Sequence, residues 1–302
     1  MTASPRLLRS VLYTPGHRQD LIAKAPRYGA DALCLVLEDS VPDELKPQAR
    51  ETVAGCIAEL GGAGETLFVK VNPPGGPNGL EADLAAIVRP GLAGIVLPKV
   101  GSETDVHHAD KLLSAAEAEA GCAPGSVAIL VLIETPLAGV RAFELASASP
   151  RVASLIPGAA ANGDMARELG FRWTAEGIER LYLRSKVLMD QRAADIANPL
   201  DGIYGEVADL DGLTVEAEHA RQLGYRGKLV VHPSHVEPVN RVFTPSPAEV
   251  LEHQRVLDAF EAALADGLAG TVVDGRFVDY AMAATARQIL DLAARAGVGP
   301  AA

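Results

Sequence analysis

At 302 residues, 48% hydrophobic and 22% charged, the chain has the composition of an ordinary folded enzyme and length for one large core or two small ones. A formal net charge of −12 argues against nucleic acid or an anionic membrane as main partner, because both demand a basic surface. Three cysteines (Cys34, Cys56, Cys122) lack metal-type spacing, and no run reaches signal-peptide or membrane-span length, so a reducing cytoplasm is the expected location.

In chain order, short β-type runs alternate with longer stretches of helical apolar spacing. Residues 10–14 form the first strand-like run, followed by an amphipathic stretch at 18–28; the run 32–37 is followed by a helix at 46–60. The third run, 66–71, enters a Gly/Pro-rich loop at 73–79, and the fourth, 94–98, precedes a helix at 105–120. Runs at 127–133, 153–156, 202–204 and 228–231 complete a set of eight, with helices expected at 136–148, 173–197 and 214–223. Right-handed crossovers lay all such strands parallel, so the repeat predicts an α/β fold of the (β/α)8 TIM-barrel type with a C-terminal helical extension. A doubly wound open sheet is the main competitor. Residues 1–242 are expected to form the barrel. Residues 243–302 read as an appended subdomain: a helix over 245–265 with Ser246 as N-cap, a hairpin over 271–278 and a helix over 281–294.

Three apolar runs lead into carboxylates: Leu37-Glu38-Asp39-Ser40, Ile133-Glu134-Thr135 and Asn162-Gly163-Asp164. Strand C-termini of a β/α barrel converge on one face, so acidic residues there are placed to hold a cation. Further motifs occur in order: Arg9-Ser10 through Pro15-Gly16-His17-Arg18, Val41 with Lys46 and Arg50, Val69-Lys70-Val71-Asn72, Pro98-Lys99, Gly227-Lys228 through His232-Pro233, and Val273-Asp274-Gly275 with Asp279. Together they resemble the citrate lyase β-subunit-like branch of the HpcH/HpaI aldolase superfamily, which includes malyl-CoA, β-methylmalyl-CoA and citramalyl-CoA lyases. The resemblance runs from Arg9 to Leu290.

That resemblance implies a carbon–carbon lyase acting on a 3-hydroxyacyl-CoA, yielding an acyl-CoA and a 2-oxo acid, or running in reverse. The implied cofactor is Mg²⁺, with Mn²⁺ as the alternative; coenzyme A is part of the substrate. Glu134 and Asp164 match the metal ligands, with Glu38 and Asp39 accepting hydrogen bonds from metal-bound waters. Arg9 and Lys70 match substrate contacts, and Arg18 and Lys24 contacts to coenzyme A phosphates. Asp279 matches a general acid/base that reaches a neighbouring subunit's site, in an expected homotrimer or hexamer.

Each assignment has a structural alternative. Arg9 at a strand start suits an ion pair; Arg18 and Lys24 suit a solvated helix face; Asp279 before a helix suits an N-cap; His232 suits a hydrogen-bonded rim position. A strict count from Gly158 puts Ala161 at the second ligand position, whereas a short insertion in the loop restores Asp164. The family's Val-Arg-Val-Asn reads Val-Lys-Val-Asn here, replacing a planar fork with a point charge at Lys70. Competing functions are a thioester hydrolase or synthase, an aldolase on free 2-oxo acids, and a non-catalytic partner subunit.

Overall fold

Strands covered on both faces must be apolar throughout, and this requirement decides most of the sheet. The computed structural model describes residues 7–74 and 79–299, so part of the Gly/Pro-rich loop lies outside the described residues. Its strands are β1 (Ser10–Pro15), β2 (Ala32–Val36), β3 (Leu67–Lys70), β4 (Leu92–Leu97), β5 (Ala128–Ile133), β6 (Val152–Pro157), β7 (Leu200–Asp201) and β8 (Gly227–Val230). Every residue of β2, β3 and β4 is buried. The helices are α1 (Gln19–Ile22), α2 (Lys46–Gly62), α3 (Leu80–Ile87), α4 (Glu103–Ala120), α5 (Pro136–Val140), α6 (Ala142–Ser147), α7 (Asp164–Leu169), α8 (Ile178–Ala193), α9 (Leu210–Leu223) and α10 (Val236–Phe243).

All eight strands pair in parallel, in the order β6-β5-β4-β3-β2-β1-β8-β7. At the seam between β6 and β7, the Leu200 N–H donates to Ser154 Oγ at 2.9 Å. A Cβ on Gly202 would stand 2.2 Å from the Pro157 carbonyl oxygen, so the close approach of these two strand ends requires glycine. The result is a nearly closed (β/α)8 barrel rather than an open sheet, its interior packed with Val11, Cys34, Phe68, Val96, Leu130, Ile156 and Leu229.

Several expected boundaries moved. The seventh strand is Leu200–Asp201, not 202–204, because Asp201 is a buried charge pinned by Arg184 at 2.9 Å and Lys228 at 2.7 Å. Hydrophobic patterning cannot see such a strand. The helix expected over 136–148 breaks at Arg141 into α5 and α6, and that expected over 173–197 is confined to Ile178–Ala193. The stretch 18–28 holds only the four-residue α1 and a 3-10 turn at Ala25–Tyr28. Helices α3, α7 and α10 were not expected.

The chain divides into two compact units, Met1–Arg241 and Val242–Ala302. The second contains α11 (Pro247–Ala265), the antiparallel hairpin of β9 (Thr271–Val273) and β10 (Arg276–Val278), and α12 (Tyr280–Arg295). Ser246 caps α11 in a reciprocal capping box with Glu249. A small core of Phe260, Val278 and Ala283 joins the hairpin to both helices. No helix among the described residues is long and apolar enough to cross a membrane.

Candidate active site

Successive strands deliver one polar group after another to the same end of the barrel. Tyr13 comes from β1, Glu38 and Asp39 from just beyond β2, Lys70 from the last position of β3 and Lys99 from just beyond β4. Glu134 follows β5 directly, and Asp164 opens α7 after β6. A cavity of about 90 Å³ is lined by Tyr13, Lys70, Leu132, Glu134, Pro157, Gly158, Ala160, Gly163, Asp164, Gly202, Ile203 and Leu229. A larger cavity of about 620 Å³ lies at the opposite barrel end, near Leu8, Phe68 and Val152, but its lining offers one carboxylate, Asp195, and no cation. Chemistry therefore selects the smaller one.

Glu38 is the hub. Lys70 Nζ lies 2.5 Å from its Oε2 and Lys99 Nζ 2.8 Å from its Oε1. Neither contact has good hydrogen-bond alignment, so charge holds the buried carboxylate in place. Lys70 also lies 3.7 Å from Asp39 and 4.0 Å from Glu134; Lys99 lies 3.2 Å from Asp39 and 3.9 Å from Asp164. Burial opposes the charge on Lys70, yet Glu134 and Glu38 outweigh it and raise its pKa. Glu134 moves the other way: burial, with the negative charges of Glu38 and Asp164, pushes its carboxyl up to about 7 despite Lys70 and Lys99.

These residues fit a hard divalent ion. Glu134 Oε2 is buried with no hydrogen-bond partner among the described residues, an acceptor that a cation would satisfy. Around it, the acidic groups Glu38, Asp39, Glu134 and Asp164 meet the ammonium groups of Lys70 and Lys99, and Asp164 also pairs with the Arg167 guanidinium at 2.5 Å. Among the described residues no group of three or more acidic, cysteine or histidine side chains converges on one point. A pair of carboxylates completed by water is the Mg²⁺ pattern.

Within the first unit the structure gathers Glu38, Asp39, Lys70, Glu134 and Asp164, and does not gather Arg9, Arg18 or Lys24. Asn162, with φ +58°, turns the loop so that Asp164, not Ala161, lines the cavity. Arg9 lies at the other end of the barrel. It precedes β1, at the N-terminal strand ends, and grips Asp31 through Nε at 2.9 Å and Nη2 at 2.7 Å, the ion-pair alternative for this residue. Arg18 pairs with Asp20 at 2.8 Å and Lys24 is exposed. His232 is a turn residue whose Nδ1 accepts from the Ser234 N–H. Asp279 belongs to the second unit and caps α12, accepting from the N–H groups of Ala281 at 2.9 Å and Met282 at 3.3 Å.

Sequence reading missed Lys99 and Tyr13 as site residues, although both had a signal. Lys99 directly follows an apolar run, and Tyr13 shares the inward phase of β1 with Val11. It also missed the support beneath Glu38. Asn72 Nδ2 donates to the Leu37 carbonyl at 3.3 Å and to Asp83 Oδ2 at 2.8 Å, while Lys46 donates to Asn72 Oδ1 at 2.9 Å. Arg50 completes the set through Asp83 Oδ1 at 2.7 Å. These bonds fix the backbone that presents Glu38.

The model of the family HpcH/HpaI aldolase/citrate lyase matches residues 9–233. The citrate lyase subunit beta of Escherichia coli (strain K12) is 33% identical over 293 residues, covering 97% of this chain and 95% of the relative. The (3S)-malyl-CoA thioesterase of Cereibacter sphaeroides (strain ATCC 17025 / ATH 2.4.3) is 35% identical over 285 residues, 93% of each. Among solved structures, the protein CitE from Mycobacterium tuberculosis, in complex with magnesium, acetoacetate and coenzyme A, superposes with a TM-score of 0.73 at 26% identity. That match covers 95% of this chain and 98% of the other.

Proposed function

The chain belongs to the HpcH/HpaI aldolase/citrate lyase family, a family of carbon–carbon lyases, and we propose that it is a Mg²⁺-dependent enzyme cleaving or forming a 3-hydroxyacyl-CoA such as malyl-CoA or citramalyl-CoA. The observation that carries this reading is the orphaned Glu134 Oε2 beside a cavity that Asp164 also lines. In this reading Glu134 and Asp164 hold the ion. When bound, it polarises the carbonyl oxygen of the 2-oxo acid fragment and orients that fragment. Glu38 and Asp39 accept hydrogen bonds from the ion's waters, and the two lysines hold Glu38 in place for that task. Lys70, on the cavity wall, meets the fragment's carboxylate, while Arg18 and Lys24 meet coenzyme A phosphates. Asp279, brought by the second unit of a neighbouring subunit in a homotrimer or hexamer, exchanges the proton at the thioester's α-carbon.

Similarity to a thioesterase favours a second reading, hydrolysis of the same thioester. Products separate the two: a lyase releases a 2-oxo acid and an acyl-CoA, a hydrolase a free 3-hydroxy acid and coenzyme A. The metal assignment is tested by Glu134→Ala, because a carboxylate at the barrel rim contributes little to the core. The variant is expected to fold, to lose Mg²⁺ binding in calorimetric titration and to lose activity. Unchanged Mg²⁺ affinity in the folded variant would remove Glu134 from the ligand set.

A further inference from the structure

Tyr13 takes no part in the chemistry described so far, yet its hydroxyl is buried and has no hydrogen-bond partner among the described residues. A phenol left this way forgoes the hydrogen bonds that water would give it, so persistence of the arrangement needs a reason. Tyr13 stands on β1 opposite Cys34 of β2 and packs, half-buried, against the barrel's central core. It shares the cavity wall with Lys70, Glu134 and Asp164.

The other donors on that wall are engaged. Lys70 is paired with Glu38 and assigned to the fragment's carboxylate, and Leu132, Pro157, Ala160, Ile203, Leu229 and the glycines of the lining offer no side-chain donor. We propose that the Tyr13 hydroxyl is a specificity-determining donor, hydrogen-bonding the ketone oxygen of a small 2-oxo acid held in this cavity. The proposal rests on the lyase reading above and adds a residue to it. A neutral donor suits that oxygen: it recognises a ketone without competing with the ammonium for the carboxylate, and it strengthens as charge develops on the oxygen in carbon–carbon bond formation. Burial, followed by the charges of Cys34, Glu134 and Glu38, raises the phenol's pKa well above its ordinary value, so the proton stays available. At about 90 Å³ the cavity has the volume of roughly three waters, room for a fragment of two or three carbons.

The test compares pyruvate with propionate, which keeps the carboxylate and lacks the ketone. Both are titrated calorimetrically into the Mg²⁺-loaded full chain, as wild type, Tyr13→Phe and Tyr13→Leu. Pyruvate affinity is expected to fall about tenfold in the variants with propionate affinity unchanged, and kcat/KM for the condensation to fall about a hundredfold. On the wild type, the near-ultraviolet tyrosine band should shift with pyruvate and not with propionate, which keeps the test decisive if neither variant folds. Equal pyruvate affinity in wild type and variants, equal loss for both acids, or an unmoved tyrosine band overturns the Tyr13 assignment alone. A Mg²⁺-loaded wild type that binds neither acid overturns the lyase reading and this proposal together.

Discussion

Lys99 holds a left-handed backbone conformation, φ +53°, that side chains other than glycine rarely adopt, while its ammonium spans Glu38, Asp39 and Asp164. Strain of this kind persists where surrounding contacts over-determine it, and here the contacts are carboxylates from two strand ends. Lys70 is constrained differently. It is 7% exposed and 2.5 Å from Glu38, so its point charge fits a space where a guanidinium fork would have to turn. Lys70→Arg is accordingly expected to change the ranking of glyoxylate, pyruvate and oxaloacetate as condensation partners by several-fold in kcat/KM, with thermal stability showing whether the larger group is accommodated. An identical ranking in a folded variant would mean that position 70 does not face the substrate.

At the scale of elements, buried polar networks tie helices to the barrel where apolar packing alone would leave their placement loose. Glu117 of α4 receives both Nη groups of Arg151, at 2.7 Å each, and the N–H groups of Gly125 at 2.8 Å and Val127 at 2.9 Å. Arg151 precedes β6 and also reaches Asp110 of α4 at 2.6 Å. Burial opposes ionisation of Glu117, but the guanidinium and the two N–H groups prevail and hold its carboxyl down at about 2, against an ordinary 4.5. A depressed carboxylate contributes its stability above the ordinary value and loses it as the pH falls toward the folded one. The contribution should thus be intact at pH 7 and fade between about 4.5 and about 2. Glu117→Gln should cost on the order of 3 kcal/mol at neutral pH, and the gap to wild type should shrink on acidification. Urea midpoints at pH 7 and pH 3 measure this, and a gap independent of pH would show that the ionisation of Glu117 is not its source.

For the whole molecule, the unit from Val242 onward poses the largest question. Its core of Phe260, Val278 and Ala283 is small for a chain segment of about 60 residues, a size at which independent stability is marginal. Asp279 there is explained locally as the cap of α12, and its proposed role in a neighbouring site predicts behaviour that a cap alone would not produce. Co-expressed Asp279→Ala and Glu134→Ala chains should form mixed oligomers that recover part of the activity each parent lacks, because some sites then contain both intact residues. Activity of separated homo- and hetero-oligomers provides the readout. Folded, demonstrably mixed oligomers as inactive as the parents would confine Asp279 to its own chain or to capping.

The order of apolar runs and acidic run-ends by itself determined the barrel, seven of its eight parallel strands and the placing of Glu38 and Glu134 at one end, because strand periodicity and strand polarity are local properties of a chain. Partner choice is not local. Only the tertiary structure decided that Arg9 meets Asp31, that Lys70 and Lys99 share Glu38, and that Asn72 and Asp83 support it. It also moved the seventh strand onto Asp201, whose partners Arg184 and Lys228 lie 17 and 27 positions away along the chain. A buried charge is tolerated only where opposite charges arrive from other elements, and which ones arrive is settled when the barrel closes.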